Sequence, residues 1–250
     1  MMYLAKPTIG KVIKKQFIYK LKANLEVYAT LVGVQLFALL LSFNAVAGSG
    51  GGNNFINIRT NYYSVDLVII FTMFWAFITA IILTTKTSRN EDFNFVTTRM
   101  ISNLSNGCFL LTASIVGGVT AMLTTFMQKI ILFFIGGDIF LLPENVTSYM
   151  LEVFMGSGVA ILHVLLLSML GYFIGTLVQL NKIFAVVLPI VFFGLLFTGG
   201  QNGPPLVLTQ IFQFFFSETS LVLFVLKAIL SAALLLNLSI YLSNRLEVRL

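Results

Sequence analysis

The sequence predicts an all-α integral membrane protein with six transmembrane helices and both termini in the cytoplasm. An amphipathic helix precedes the first span, and a re-entrant outer segment separates spans five and six. Three observations carry this reading. Of 250 residues, 58% are apolar and only 10% charged, with a mean hydropathy of +0.97. Soluble domains sit nearer half apolar and a quarter charged. The few charges flank uncharged runs close to the ~20 residues a helix needs to cross the hydrocarbon core. Finally, the basic side chains follow the alternation of the loops, which is the signature of a fixed orientation in a bilayer.

Along the chain, Thr8 to Asn24 comes first. Ile9, Val12, Ile13, Phe17 and Leu21 recur there at helical spacing, with Lys11, Lys14, Lys15 and Lys22 largely on the other face. Such a helix lies in the headgroup plane, its apolar stripe buried and its lysines toward anionic lipid. Thr8, after Pro7, is the expected N-cap. The uncharged runs follow: Tyr28–Val46, Leu67–Thr85, Gly107–Met127, Val153–Leu180, Ile183–Thr198 and Leu221–Leu242. Gly48 to Asn54 reads as a Gly/Ser/Asn loop, the fifth run is short and carries Pro189, and the sixth is interrupted by Lys227. Together these elements make residues 1–250 a single transmembrane domain.

Twelve of the fifteen basic residues fall on one side of this arrangement. They are Lys6, Lys11, Lys14, Lys15, Lys20, Lys22, Lys86, Arg89, Arg99, Lys182, Arg245 and Arg249. Because Lys and Arg are retained inside, that side is cytoplasmic. The opposite loops hold Arg59 together with Asp138, Glu144 and Glu218. The net charge of +6 is therefore topology rather than a sign of nucleic-acid binding. No cleavable signal peptide is expected, because the first apolar run is long and lacks a small-x-small site behind it.

Reactive chemistry is sparse. One Cys and one His argue against a disulfide framework and against Cys- or His-rich metal sites. No phosphate-binding G-x-x-x-x-G-K-[ST] loop and no H-E-x-x-H pair is present. The spans leave no room for a nucleotide-binding domain, so the chain is not expected to be an enzyme. His163, in the fourth span, reads either as a substrate or proton site or as a hydrogen-bonding partner of a neighbouring helix. Lys227 is expected to snorkel outward, since Glu218 is about 13 Å away along one straight helix. Small residues in the third span (Ala113, Gly117, Ala121) and a GxxxG in the fourth (Gly171, Gly175) point to close helix packing.

Two segments rise above this background. The cytoplasmic loop 86–106 contains Arg89, Glu91, Asp92, Phe93 and Phe95, charges beside exposed aromatics. That combination suits a short helix docking into a cleft on a soluble partner, or aromatics dipping into the membrane interface. The outer segment 199–220 begins with the helix-breaking Gly199-Gly200-Gln201-Asn202-Gly203-Pro204-Pro205 and continues with the apolar Leu206 to Phe216. Eleven residues are too few to span and too apolar to lie free in water, so a re-entrant or interfacial helix is expected.

Taken together, this arrangement resembles the membrane-spanning permease subunit of an ABC transporter of the type-two exporter (ABC-2) class. The resemblance covers nearly the whole chain: an elbow helix at 8–24, six spans, a coupling loop around Glu91 to Phe95, and a broken outer segment. It implies a separate ATPase subunit that holds ATP and magnesium, a second permease protomer (identical or related), and no cofactor in this chain. It also implies a pathway lined by spans two and five, which nominates Phe71, Phe74, Trp75 and Ile78 with Phe192, Phe193 and Leu196. ATPase coupling would fall to Arg89, Glu91, Asp92, Phe93 and Phe95. So aromatic a wall suits hydrophobic or amphipathic cargo. The small size and bare loops resemble bacterial plasma-membrane permeases that export antimicrobial or cytolytic peptides, including phenol-soluble modulins. Two other classes stay open: a substrate-capturing membrane subunit of a vitamin or small-molecule importer, and a non-transport membrane protein conferring peptide immunity.

Overall fold

A computed structural model describes residues 9–43, 46–53, 56–63, 66–88, 98–136, 146–197, 206–218 and 220–244. The elements in order are α1 (Ile9–Ala23), α2 (Leu25–Ser42), β1 (Val46–Asn53), β2 (Ile56–Tyr63), α3 (Asp66–Thr84) and α4 (Arg99–Gly136). They continue with α5 (Val146–Leu180), α6 (Phe184–Phe197), α7 (Leu206–Phe216) and α8 (Leu221–Asn244). Five of these helices, α2, α3, α4, α5 and α8, are long and apolar enough to cross a membrane. By helix composition the chain is a multi-pass membrane protein.

The expected fifth span is the departure. α6 has 14 residues with Pro189 inside it, a rise of about 21 Å against a hydrocarbon core of about 30 Å. Pro189 has no N–H to return to the Ala185 carbonyl, which weakens the helix in its middle. The helix begins where the Asn181 side-chain carbonyl accepts the Ile183 N–H at 3.1 Å, an Asx turn that re-starts the chain after α5.

The region read as a Gly/Ser/Asn loop is instead one strand of a hairpin. β1 and β2 pair antiparallel from Val46↔Tyr63 to Asn53↔Ile56. β2 supplies the signal, with Ile56, Ile58, Thr60 and Tyr62 alternating along it. β1 is glycine-rich and has almost no strand propensity of its own, so its conformation comes from its partner.

α3 packs most extensively on α5, and α4 and α8 also pack on α5. Glycines permit the closest of these contacts. A Cβ on Gly171 would stand 2.5 Å from the Phe77 carbonyl oxygen, and one on Gly118 2.8 Å from the Ile161 nitrogen. Phe109, Leu110, Met169 and Tyr172 join Ala80 and Leu83 in the main buried cluster, and Leu31, Trp75, Ala113 and Val164 form a second.

Helix directions follow from which ends meet. The start of α2 faces the end of α3. The end of α3, the start of α4 and the ends of α5 and α8 surround one small cleft. At the far end, Gln128 of α4 donates to Ser42 at the end of α2, at 2.9 Å. α5 and α8 therefore run in the same direction, and the chain between them must return across the bundle. α6 and α7 make that return as two short pieces.

α1 lies against the start of α4. Phe17 and Leu21 pack on the main cluster, while Lys11, Lys14, Lys15 and Lys22 are exposed, as the helical spacing predicts. Asn24 ends the helix: its backbone N–H and its side-chain amide each reach the Lys20 carbonyl at 3.0 Å.

Candidate functional site

The polar residues of this apolar bundle gather in three places. At the end where α1 docks, Lys20 is 4% exposed and its ammonium donates to the Asn106 side-chain oxygen. The Asn106 amide donates to the Tyr172 hydroxyl at 3.2 Å, and that hydroxyl donates to the Asn103 side-chain oxygen at 2.8 Å. Arg99 donates to the Ser243 carbonyl at 3.2 Å, tying the start of α4 to the end of α8. The chain of bonds links α1, α4 and α5 through buried groups, and only the Asn103 side-chain nitrogen among the bonded side chains stays without a partner among the described residues. The cleft beside it holds about 40 Å³, room for a few waters only.

In the middle of the bundle, the Gln35 amide lies 3.2 Å from Thr72 Oγ1, 3.2 Å from the Gly117 carbonyl and 3.0 Å from Thr120 Oγ1. One side chain thereby joins α2, α3 and α4. The Trp75 indole donates to Thr30 Oγ1 at 3.0 Å, a second bond between α2 and α3.

At the far end, Lys227 is paired with Glu218, and its ammonium sits 4.1 Å from the centroid of the Phe214 ring. The expectation of a separation too great for pairing assumed one straight helix. α8 begins only at Leu221, so Glu218 lies off its axis. Lys227 points toward the helix start, as side chains on a helix do, and meets it there. The pair and the cation–π contact hold the end of α7 against α8. His163 stacks on Phe224 with ring centroids 4.7 Å apart, and its Nδ1 lies 2.9 Å from the Val159 carbonyl. The Val159 bond lies within α5 itself, four residues back, and the contact with the neighbouring helix α8 is the ring stack on Phe224.

The nominated pathway residues separate into two groups. Trp75 is 6% exposed and belongs to the core, and Phe71 packs half-buried beside Ala38, Val68 and Ala121. Phe74 and Ile78 lie on the outer face of α3, at 62% and 55% exposure. Phe192 and Phe193 are exposed on α6, edge to face with each other at 5.8 Å. Among the described residues, neither cleft of the bundle is lined by the α3 or the α6 group. The Leu196 side chain and the five nominated coupling residues, Arg89, Glu91, Asp92, Phe93 and Phe95, lie outside the described residues, as do Thr8 and the 199–205 segment.

Sequence reasoning passed over the buried network. Lys20 was grouped with the other basic residues, but it shares a face with Gln16, Phe17 and Leu21, at i, i−4, i−3 and i+1. A helical-wheel reading of Lys20 against Phe17 and Leu21 contains that signal. Nothing local marks Asn103, Asn106 and Tyr172 as partners, since the last lies 69 and 66 residues beyond the other two.

The fold defines a class: a multi-pass membrane protein whose bundle is bonded together by buried polar side chains. No protein-family model, curated protein or solved structure matches the chain.

Proposed function

We propose that the chain is the permease subunit of an ATP-driven exporter of the type-two ABC class. In this reading it sits in a bacterial plasma membrane with both termini inside. It moves hydrophobic or amphipathic cargo outward, with cytolytic or antimicrobial peptides as the leading class. A separate ATPase subunit binds ATP and magnesium and docks on the loop 86–106, and a second permease protomer completes the pathway. The chain itself carries no catalytic site.

The observation that supports this reading most is the broken return between α5 and α8. α6 is exposed along almost its whole length, with Ile190, Phe192, Phe193 and Phe197 between 53% and 81% exposed. An apolar helix too short to span and packed only lightly on its own chain is suited to completing a pathway with a second copy. The elbow-like placement of α1 at the end shared by the start of α2 and the end of α8 is the arrangement the resemblance expects.

The test is co-expression with a candidate ATPase subunit, followed by purification and ATPase assay. The expected outcome is a stable complex whose hydrolysis rises with an amphipathic peptide, and which dissociates on charge reversal at Glu91 and Asp92. Purification free of any ATPase, with the charge reversal silent, rejects the proposal.

A further inference from the structure

The buried chain of bonds beside α1 has a direction. The Lys20 ammonium can only donate, so the Asn106 side chain turns its oxygen toward it. The Asn106 nitrogen then faces Tyr172 and donates to its hydroxyl at 3.2 Å. That hydroxyl gives its own hydrogen to the Asn103 oxygen at 2.8 Å. Each bond fixes which way the next group lies and polarises it in the same sense. The series ends on the Asn103 nitrogen, a donor on a side chain only 6% exposed, with no hydrogen-bond partner among the described residues. A buried donor in that position calls for an acceptor.

Asn103 lines the cleft of about 40 Å³ between the end of α3, the start of α4 and the ends of α5 and α8. Thr84 and Thr176 also line it, but their hydroxyls donate within their own helices, to the Ile81 and Phe173 carbonyls. The α4 wall has a different character. Thr98, Arg99, Ser102 and Asn103 stand there at i, i+1, i+4 and i+5, on one face of the helix start. The first N–H groups of a helix have no acceptor within it, and its dipole places positive potential at the same end. A helix start, a guanidinium and a buried amide donor thus border one small space, a combination suited to an oxyanion with several acceptors. The cleft holds about three waters, the bulk of a single phosphate group.

We infer that this cleft binds a phosphate group, carried on an anionic lipid headgroup or free in solution. Four helices long enough to span begin or end at the cleft, which sets it at headgroup depth. The exposed Lys11, Lys14, Lys15 and Lys22 of α1 draw anionic lipid to the same end. The inference stands on the bundle alone and does not depend on the permease reading.

The experiment titrates the full chain, purified in a nonionic detergent, by calorimetry. The probes are inorganic phosphate, dihexanoyl phosphatidic acid, and dihexanoylglycerol, which has the same tails and no phosphate. Binding of a phosphate compound without binding of dihexanoylglycerol is the expected result. Asn103→Asp keeps the acceptor for Tyr172 and replaces the donor with a second oxygen, and should weaken binding at least about tenfold. Arg99→Gln should weaken it about tenfold by itself, and decides the matter if the buried aspartate prevents folding. Lys14→Gln with Lys15→Gln should weaken the lipid less than either and leave inorganic phosphate unchanged. Inorganic phosphate binding as tightly as the lipid assigns the site to free phosphate, and binding of the lipid alone assigns it to a headgroup; both support the inference. No binding of either phosphate compound overturns it, as do equal binding of dihexanoylglycerol and a loss confined to the lysine pair. Binding that emerges only after Glu91→Gln and Asp92→Asn also overturns it, because a carboxylate of the chain itself then fills the cleft.

Discussion

The two ends of the chain's path through the bundle are built on opposite terms. Around Lys20, Asn103, Asn106 and Tyr172, three helices are joined by buried hydrogen bonds and the neighbouring side chains are almost wholly covered. Along α6, apolar side chains stand exposed on nearly every face, and the main fixed points are an Asx turn at its start and light packing on α5 and α7. In lipid, apolar side chains gain nothing from one another that the acyl chains do not also offer. Helices held only by apolar contact are therefore free to exchange partners, whereas helices sharing buried polar groups are not. The bonded junction is suited to being a fixed frame, and α6 to being the part that moves or meets another chain.

Substitutions can break this contrast. The largest effect is expected at Gly171→Leu, where the new side chain meets the Phe77 backbone and forces α3 from α5. A loss of more than about 3 kcal/mol is expected, read as aggregated rather than monodisperse protein on size-exclusion chromatography. Asn106→Ala removes one acceptor from the buried Lys20 ammonium and one donor from Tyr172. It should cost about 2 kcal/mol and lower the melting temperature in detergent.

Gln16→Leu works in the opposite direction. Gln16 is fully buried, and neither polar atom of its amide has a hydrogen-bond partner among the described residues. Replacing it with an apolar group of similar size should stabilise α1 docking by about 1 kcal/mol; a lower melting temperature would show that the amide is satisfied after all. The smallest effect on stability is expected at Phe193→Ala, within about 0.5 kcal/mol, because its side chain is 57% exposed. That variant, with Phe74→Ala, should nonetheless lower peptide-stimulated ATPase activity. Trp75→Ala is uninformative about cargo, since the indole is buried and bonded to Thr30.

Much of the frame was legible because charge is so expensive in a bilayer. The uncharged runs 28–46, 67–85, 153–180 and 221–242 locate four of the long helices to within about two turns, while the run 107–127 stops short of both ends of α4, and the 3.6-residue stripe of Ile13, Phe17 and Leu21 locates α1. Three things were hidden. β1 takes its structure from β2, so its own glycines argue for a loop. The Lys227–Glu218 pair depends on a bend that no spacing rule contains. The Lys20–Asn106–Tyr172 chain joins residues far apart in sequence, and such pairings are set by packing. The candidate cargo wall was legible only as composition: the sequence marks the aromatics of α3 and α6, and packing separates Trp75 from Phe74, its immediate neighbour on the same helix.

The central claim is that this chain forms an outward path for amphipathic cargo driven by ATP hydrolysed elsewhere. The direct measurement is uptake of a fluorescent lysine-bearing amphipathic peptide into inverted vesicles holding the chain and its ATPase. Uptake that requires ATP, disappears when the ATPase is omitted, and falls in Phe193→Ala is the expected result. Peptide accumulation that is the same with and without ATP, in vesicles where the complex is intact, would contradict it.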